Sequence, residues 1–169
     1  SLGKELNRSG RQSESIGLVI IKVQGWPLLA MDYGQNVAQI VEEIILRRIQ
    51  GLIRTYDNLF RIEQGRYIVL LPHTGQEGTR GFVQRIEQAL TIILRSEAFA
   101  QNELESIHLE GICAQIDFQA EPQAKAIDEL YAFILNRATQ VELGPPFVSL
   151  RVDSKGIRLR GDPEQVPNP

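Results

Sequence analysis

The run Ile16–Val23, I-G-L-V-I-I-K-V, is apolar almost throughout and rich in β-branched residues, with Lys22 its one charge. A short continuous run of this kind is a strand covered on both faces, in the middle of a sheet. Gly25-Trp26-Pro27 then breaks the chain. From Gln35 to Arg54 the spacing changes to that of a helix, with Val37, Val41, Ile44, Ile45 and Leu52 on one face. Leu59–Ile62 and Arg66–Leu71 are two strands around Glu63-Gln64-Gly65, since a charged, Gly-containing turn between apolar segments marks a hairpin. His73-Thr74-Gly75 is a turn. Gln76–Arg95 is a second amphipathic helix with Phe82, Ile86, Ala89, Leu90 and Ile93 inward.

Ala98–Ser106 reads as a polar loop and Ile107–Phe118 as a strand. Pro122 interrupts before a third helix, Ala124–Val141, with Ile127, Leu130, Tyr131, Ile134 and Leu135 apolar. Gly144-Pro145-Pro146 ends it. Phe147–Val152 and Ile157–Arg160 form a last hairpin across Asp153-Ser154-Lys155-Gly156. Residues 1–15 mix Gly, Ser, Arg and Glu and are expected to be a linker or the end of a signalling helix, with no core to bury. Residues 16–161 form the domain, and 162–169, with three prolines, a disordered tail. Strands and helices alternate, but two adjacent strand pairs demand antiparallel pairing. The fold class expected is α/β: a single-domain sandwich, its mixed, mostly antiparallel central sheet flanked by helices.

Composition narrows the function classes. The 169 residues suit one domain rather than two. A net charge of -3 gives no general attraction for nucleic acid or for an anionic membrane. The single cysteine, Cys113, rules out an internal disulfide framework and reads as a core residue of its strand. His73 and His108 lie far apart with no partners at ligand spacing, so no metal site is expected. No run is long enough to span a bilayer, no signal peptide is visible, and cytoplasmic localisation is the expectation. The chain starts at Ser1-Leu2-Gly3 without Met, so an excised piece of a longer protein, even a membrane-attached one, is expected.

Chemistry concentrates between Arg54 and Pro72, R-T-Y-D-N-L-F-R-I-E-Q-G-R-Y-I-V-L-L-P. From spacing alone this is a solvated turn with surface charges. Its frame resembles the GGDEF domain of the diguanylate cyclase family, a relative of the class III nucleotidyl cyclase fold. There an R-x-x-D is followed by five residues, G-G-D/E-E-F, and an apolar strand ending in Pro. Here Arg54 and Asp57 are followed by five residues, Glu63-Gln64-Gly65-Arg66-Tyr67, and a strand ending at Pro72. Tyr33-Gly34-Gln35 resembles the family's Y-G-H, Leu70-Leu71-Pro72-His73-Thr74 its L-L-P-x-T, and Asp128-Glu129-Leu130-Tyr131 its D-E-L-L. The resemblance covers Ile16 to Arg160.

The residues that carry the family's catalysis are replaced. Its first strand ends in D-x-D-x-F, whose first Asp binds Mg²⁺, and here the segment is Lys22-Val23-Gln24-Gly25-Trp26. Trp26 stands for the Phe and is expected to pack rather than stack. The residues that read guanine are matched by Ala30 and Gln39. In the signature, Glu63 and Gln64 replace two glycines, and Gly65 and Arg66 the acidic pair. Cyclase chemistry uses metal to activate the attacking hydroxyl and to hold charge on the α-phosphate. Mg²⁺ needs oxygen ligands in near-octahedral geometry. Lys22 and Arg66 put cations there, and Glu63 repels a triphosphate. The resemblance therefore implies a degenerate cyclase site formed by Lys22, Gln24, Glu63, Gln64, Gly65 and Arg66, no enzyme activity, no cofactor and no metal.

The family's product-binding inhibitory site uses the R-x-x-D and a further Arg in the helix after the hairpin. Arg54, Asp57 and Arg85 match these. Two parallel Arg hydrogen bonds suit a phosphate or the O6/N7 edge of guanine, and Asp accepts from guanine N–H groups. The same residues suit plainer roles: Arg54 as a cation at a helix C-terminus, Arg54 and Asp57 as a surface ion pair, Arg85 on a solvated face. The resemblance implies an inactive cyclic di-GMP receptor that regulates an attached domain or a partner signalling protein, with homodimerisation a further expectation. The alternative is a nucleotide-free structural or dimerisation scaffold.

Overall fold

The computed structural model describes residues 1–12, 14–23, 26–94, 109–118, 124–139, 147–153 and 156–160. Five helices and six strands run in the order α1 (Leu2–Arg11), β1 (Ser15–Val23), α2 (Trp26–Tyr33), α3 (Gln35–Gln50), β2 (Asn58–Glu63), β3 (Arg66–Pro72), α4 (Gln76–Leu94), β4 (Leu109–Phe118), α5 (Ala124–Thr139), β5 (Phe147–Asp153) and β6 (Gly156–Arg160) among the described residues. The strands form one sheet in the order β2-β3-β1-β4-β5-β6. β1 is antiparallel to both of its neighbours, with Ile20 opposite Ile68 on one side and Ile112 on the other. β4 and β5 are parallel, which requires the crossover that α5 provides. The mixed, mostly antiparallel sheet is the one expected.

Side chains of a strand alternate between its faces, so β1 serves two cores at once. Ile16, Leu18 and Ile20 join Ile68 and Leu70 of β3 in a cluster closed by α1 and α5. Val19, Ile21 and Val23 join Tyr67, Val69 and Leu71 in a second cluster closed by α2, α3 and α4. The continuous apolar runs of β1 and β3 are thereby explained: neither face meets water. At Gly17 the absence of a side chain is structural. A Cβ there would collide with the Thr79 hydroxyl and lie 3.3 Å from the Leu71 Cβ, so α4 can seat against β1 only over a glycine.

Four expectations need correction. Residues 1–15, read as a stretch with nothing to bury, contain α1, which inserts Leu2 and Leu6 against α5. The break expected at Gly25-Trp26-Pro27 becomes the start of α2, where Pro27 falls in the first turn and removes no helical hydrogen bond. The helix expected to reach Arg54 ends at Gln50, and its buried face is Ala38, Val41, Glu42, Ile45 and Ile49 rather than Val37 and Ile44, both of which are exposed. Arg54 is therefore in the turn beyond α3 and not a cation in its last turn. Tyr131, expected inward, is exposed on α5, while Ile127, Leu130 and Ile134 are buried. Gln24, His108, the expected loop 98–106 and the expected tail 162–169 lie outside the described residues, as do the side chains of Trp26, Ile93 and Cys113.

Candidate functional site

The β2–β3 hairpin turns through Gln64-Gly65. Gly65 has φ 75°, a left-handed conformation that favours glycine, and its carbonyl accepts the Val23 N–H at 2.8 Å. The retained glycine thus makes the turn and ties the tip to the end of β1. Arg66 follows, with its side chain only 16% exposed. Its Nε lies 2.8 Å from Glu63 Oε1, and its Nη1 donates to the Ala138 carbonyl at 2.9 Å. That carbonyl belongs to the last turn of α5, where a cation and a donor are both favourable. Lys22 stands in register between Arg66 of β3 and Glu110 of β4.

Beside the tip, Pro27, Ala30 and Met31 of α2, Gln35 of α3, and Glu63 and Gln64 of the hairpin line an open cleft of about 440 Å³. Ala30, Glu63 and Gln64, singled out separately in the sequence, are thus brought together, whereas Gln39 lies exposed on α3. No Lys or Arg is among the described residues lining this cleft. Among the described residues no group of His, Cys, Asp and Glu is placed to hold a metal ion. Lys22 and Arg66 face each other in the register of β1 and β3 at the tip, and neither supplies the oxygen ligands that Mg²⁺ takes.

Arg54 and Asp57 close a tight turn between α3 and β2. The Asp57 N–H donates to the Arg54 carbonyl at 3.1 Å, and Asp57 Oδ2 accepts the Arg54 backbone N–H at 2.7 Å. The carboxylate therefore binds the main chain of Arg54 and not its guanidinium. The surface ion pair that the spacing suggested is absent. Arg54 Nη1 instead donates to the Tyr56 hydroxyl at 2.9 Å, and its guanidinium carbon lies 5.8 Å from the centre of that ring. Asp57 is half-buried, and its Oδ1 is shielded from solvent without a hydrogen-bond partner. Arg85 is exposed on α4, its guanidinium 5.7 Å from the Phe82 ring centre. No hydrogen bond or ion pair among the described residues links it to Arg54 or Asp57.

A polar cluster that the sequence pattern does not announce lies beneath the hairpin. Glu42 of α3 is 6% exposed and receives Arg61 Nε at 2.8 Å and Nη2 at 3.0 Å. The Tyr67 hydroxyl donates to the same Oε1 at 3.1 Å. Burial first, and then the Glu42 charge and hydrogen bond, push the Tyr67 phenol above its ordinary pKa. A glutamate interrupting the inner face of α3 at helical spacing was the available signal.

An α/β sheet of this order, with its hairpin tip beside a cleft, defines a nucleotidyl cyclase-like domain. The family described as "Diguanylate cyclase, GGDEF domain" matches residues 1–130, and the chain belongs to it. Among curated proteins none matches. Among solved structures, the chain is similar to diguanylate cyclase SiaD of Pseudomonas aeruginosa, in complex with its activator SiaC, at 19% identity and TM-score 0.64. That match covers 90% of this chain and 55% of SiaD, so the chain spans about half the length of that relative. It is also similar to the GGDEF domain of DgcB from Caulobacter crescentus in complex with c-di-GMP, at 12% identity and TM-score 0.63 over 92% of this chain and 89% of that one. The active GGEEF domain of a diguanylate cyclase from Vibrio cholerae matches at 18% identity and TM-score 0.55, covering 87% of each chain. No helix among the described residues is long and apolar enough to cross a membrane.

Proposed function

We propose that this GGDEF domain makes no cyclic di-GMP and instead binds it through Arg54, Asp57 and Arg85, passing the signal to an attached domain or a partner. The observation that carries the reading is the state of Arg54. Its side chain is exposed and its guanidinium has no carboxylate partner among the described residues, because Asp57 is spent on the backbone. An uncompensated guanidinium on a fixed turn is suited to a phosphate or to the O6/N7 edge of guanine. The loss of synthesis rests on the other face: the cleft presents Glu63, two glutamines and three apolar side chains, and Arg66 is held by Glu63 and by α5. DgcB, a relative in fold, was solved with c-di-GMP bound, which makes this ligand the first to try.

Calorimetric titration with cyclic di-GMP, GTP and cyclic di-AMP tests the reading. Cyclic di-GMP binds, and Arg54→Ala weakens it about tenfold or more, since a hydrogen bond to a charged group contributes about 1.5–3 kcal/mol. Asp57→Asn and Arg85→Ala weaken it as well, and Lys22→Ala does not. Absence of heat with cyclic di-GMP across the micromolar range, or binding that survives Arg54→Ala but fails with Lys22→Ala, sinks the receptor assignment. The first of these results favours the scaffold reading.

A further inference from the structure

Tyr56 lies inside the Arg54–Asp57 turn, and the pairing of Arg54 with Asp57 gives it no evident task. It is 51% exposed, so the core does not require it. Its hydroxyl nevertheless receives Arg54 Nη1 at 2.9 Å, and its ring lies 5.8 Å from the guanidinium carbon. Both contacts fall on Arg54, the side chain whose state carries the proposed receptor reading.

We infer that Tyr56 is a positioning residue that holds the Arg54 guanidinium ready for a ligand, an inference that rests on the receptor reading. An exposed arginine samples many rotamers, and ordering it on binding weakens affinity. A partner that fixes it beforehand lowers that loss. A carboxylate in this position would fix it too, but would also neutralise the charge the ligand needs. A phenol takes one N–H of the guanidinium and leaves the charge uncompensated. The other N–H groups remain available for two parallel bonds to phosphate or guanine. The turn beneath is closed by the two bonds between Arg54 and Asp57, so ring and guanidinium rise from one rigid base.

A double-mutant cycle on the domain, read by titration with cyclic di-GMP, provides the test. Tyr56→Phe keeps the ring and loses the hydroxyl, and weakens binding about threefold, the scale of ordering one side chain on binding. Tyr56→Ala loses both contacts and weakens it more. In the Arg54→Ala background neither change has a further effect, because Tyr56 acts through Arg54. Wild-type affinity in Tyr56→Ala, or an undiminished effect in the Arg54→Ala background, overturns the inference. A second readout does not need the ligand. The NMR order parameter of the Arg54 Nε–H group falls in Tyr56→Ala if the ring and hydroxyl hold the side chain, and an unchanged value overturns the inference. A wild-type protein that binds no cyclic di-GMP refutes the receptor reading, while the order parameter still decides whether Tyr56 holds Arg54.

Discussion

Arg61 of β2 grips Glu42 of α3 with two prongs, Nε to Oε1 at 2.8 Å and Nη2 to Oε2 at 3.0 Å. The pair is lopsided, since the Arg61 side chain is 53% exposed and that of Glu42 only 7%. Removing one partner is therefore not equivalent to removing the other.

Arg61→Ala strands a carboxylate away from water, which costs about 1–3 kcal/mol, and solvent around Arg61 keeps the effect toward the lower end. Glu42→Gln retains the shape and an acceptor for Tyr67, and frees an arginine already half in solvent, so it costs less. Urea unfolding of both variants checks the order. A larger loss for Glu42→Gln would show that the carboxylate is better hydrated than its burial implies.

Tyr67 gives the stability a dependence on alkaline pH. Its folded phenol holds its proton more tightly than the unfolded chain, whose value is the ordinary 10.0. The contribution is therefore intact below pH 10 and is lost as the pH rises above it toward the folded value. Tyr67→Phe removes this slope while lowering the neutral-pH stability by about 1.5–3 kcal/mol for the missing hydrogen bond to the Glu42 carboxylate. Parallel slopes for wild type and variant between about pH 10 and 12, roughly the two units above that ordinary value, would contradict the assignment.

Gly17→Val places a branched side chain where the Thr79 hydroxyl already lies. Forcing α4 away from β1 costs about 1–3 kcal/mol, as overpacking does elsewhere. The companion Gly17→Val/Thr79→Gly, which clears the hydroxyl, recovers part of the loss. Thermal melts of the three proteins measure it.

On the receptor reading proposed above, purified protein supplied with GTP and Mg²⁺ or Mn²⁺ is expected to form no cyclic di-GMP. Restoring an acid by Arg66→Glu does not create activity. It removes the bonds to Glu63 and to the Ala138 carbonyl, sets a second acidic group beside Glu63, and lowers the melting temperature. Metal-dependent product from the unaltered chain, abolished by a change at Lys22 or Arg66, would refute the inactive reading.

The chain announces its sheet more clearly than its helices. β1 and β3 are covered on both faces, so their runs are unbroken and their place in the sheet is legible. α1 buries Leu2 and Leu6 among polar neighbours, too few apolar positions to show a period. α2 carries Pro27 and no clear polar face, and reads as a break. The inner face of α3 is hard to read from the pattern because Ala38 is small and Glu42 polar, and Glu42 is buried only because Arg61 and Tyr67 arrive from β2 and β3. The spacing of Arg54 and Asp57 was visible from the start, but not which atoms would meet. A carboxylate choosing the backbone over the guanidinium is decided by the turn, and no pattern of residue types records it.

The alternation of β1 has a consequence for how the domain comes apart. Because successive residues of one strand anchor opposite helical layers, neither layer has a wall of its own. Losing the α1/α5 side exposes Leu18 and Ile20 and loosens the same backbone that presents Val19 and Ile21 to the other side. The two layers are thus bound into one cooperative unit, and a label on α5 and a label on α3 should report a single melting curve.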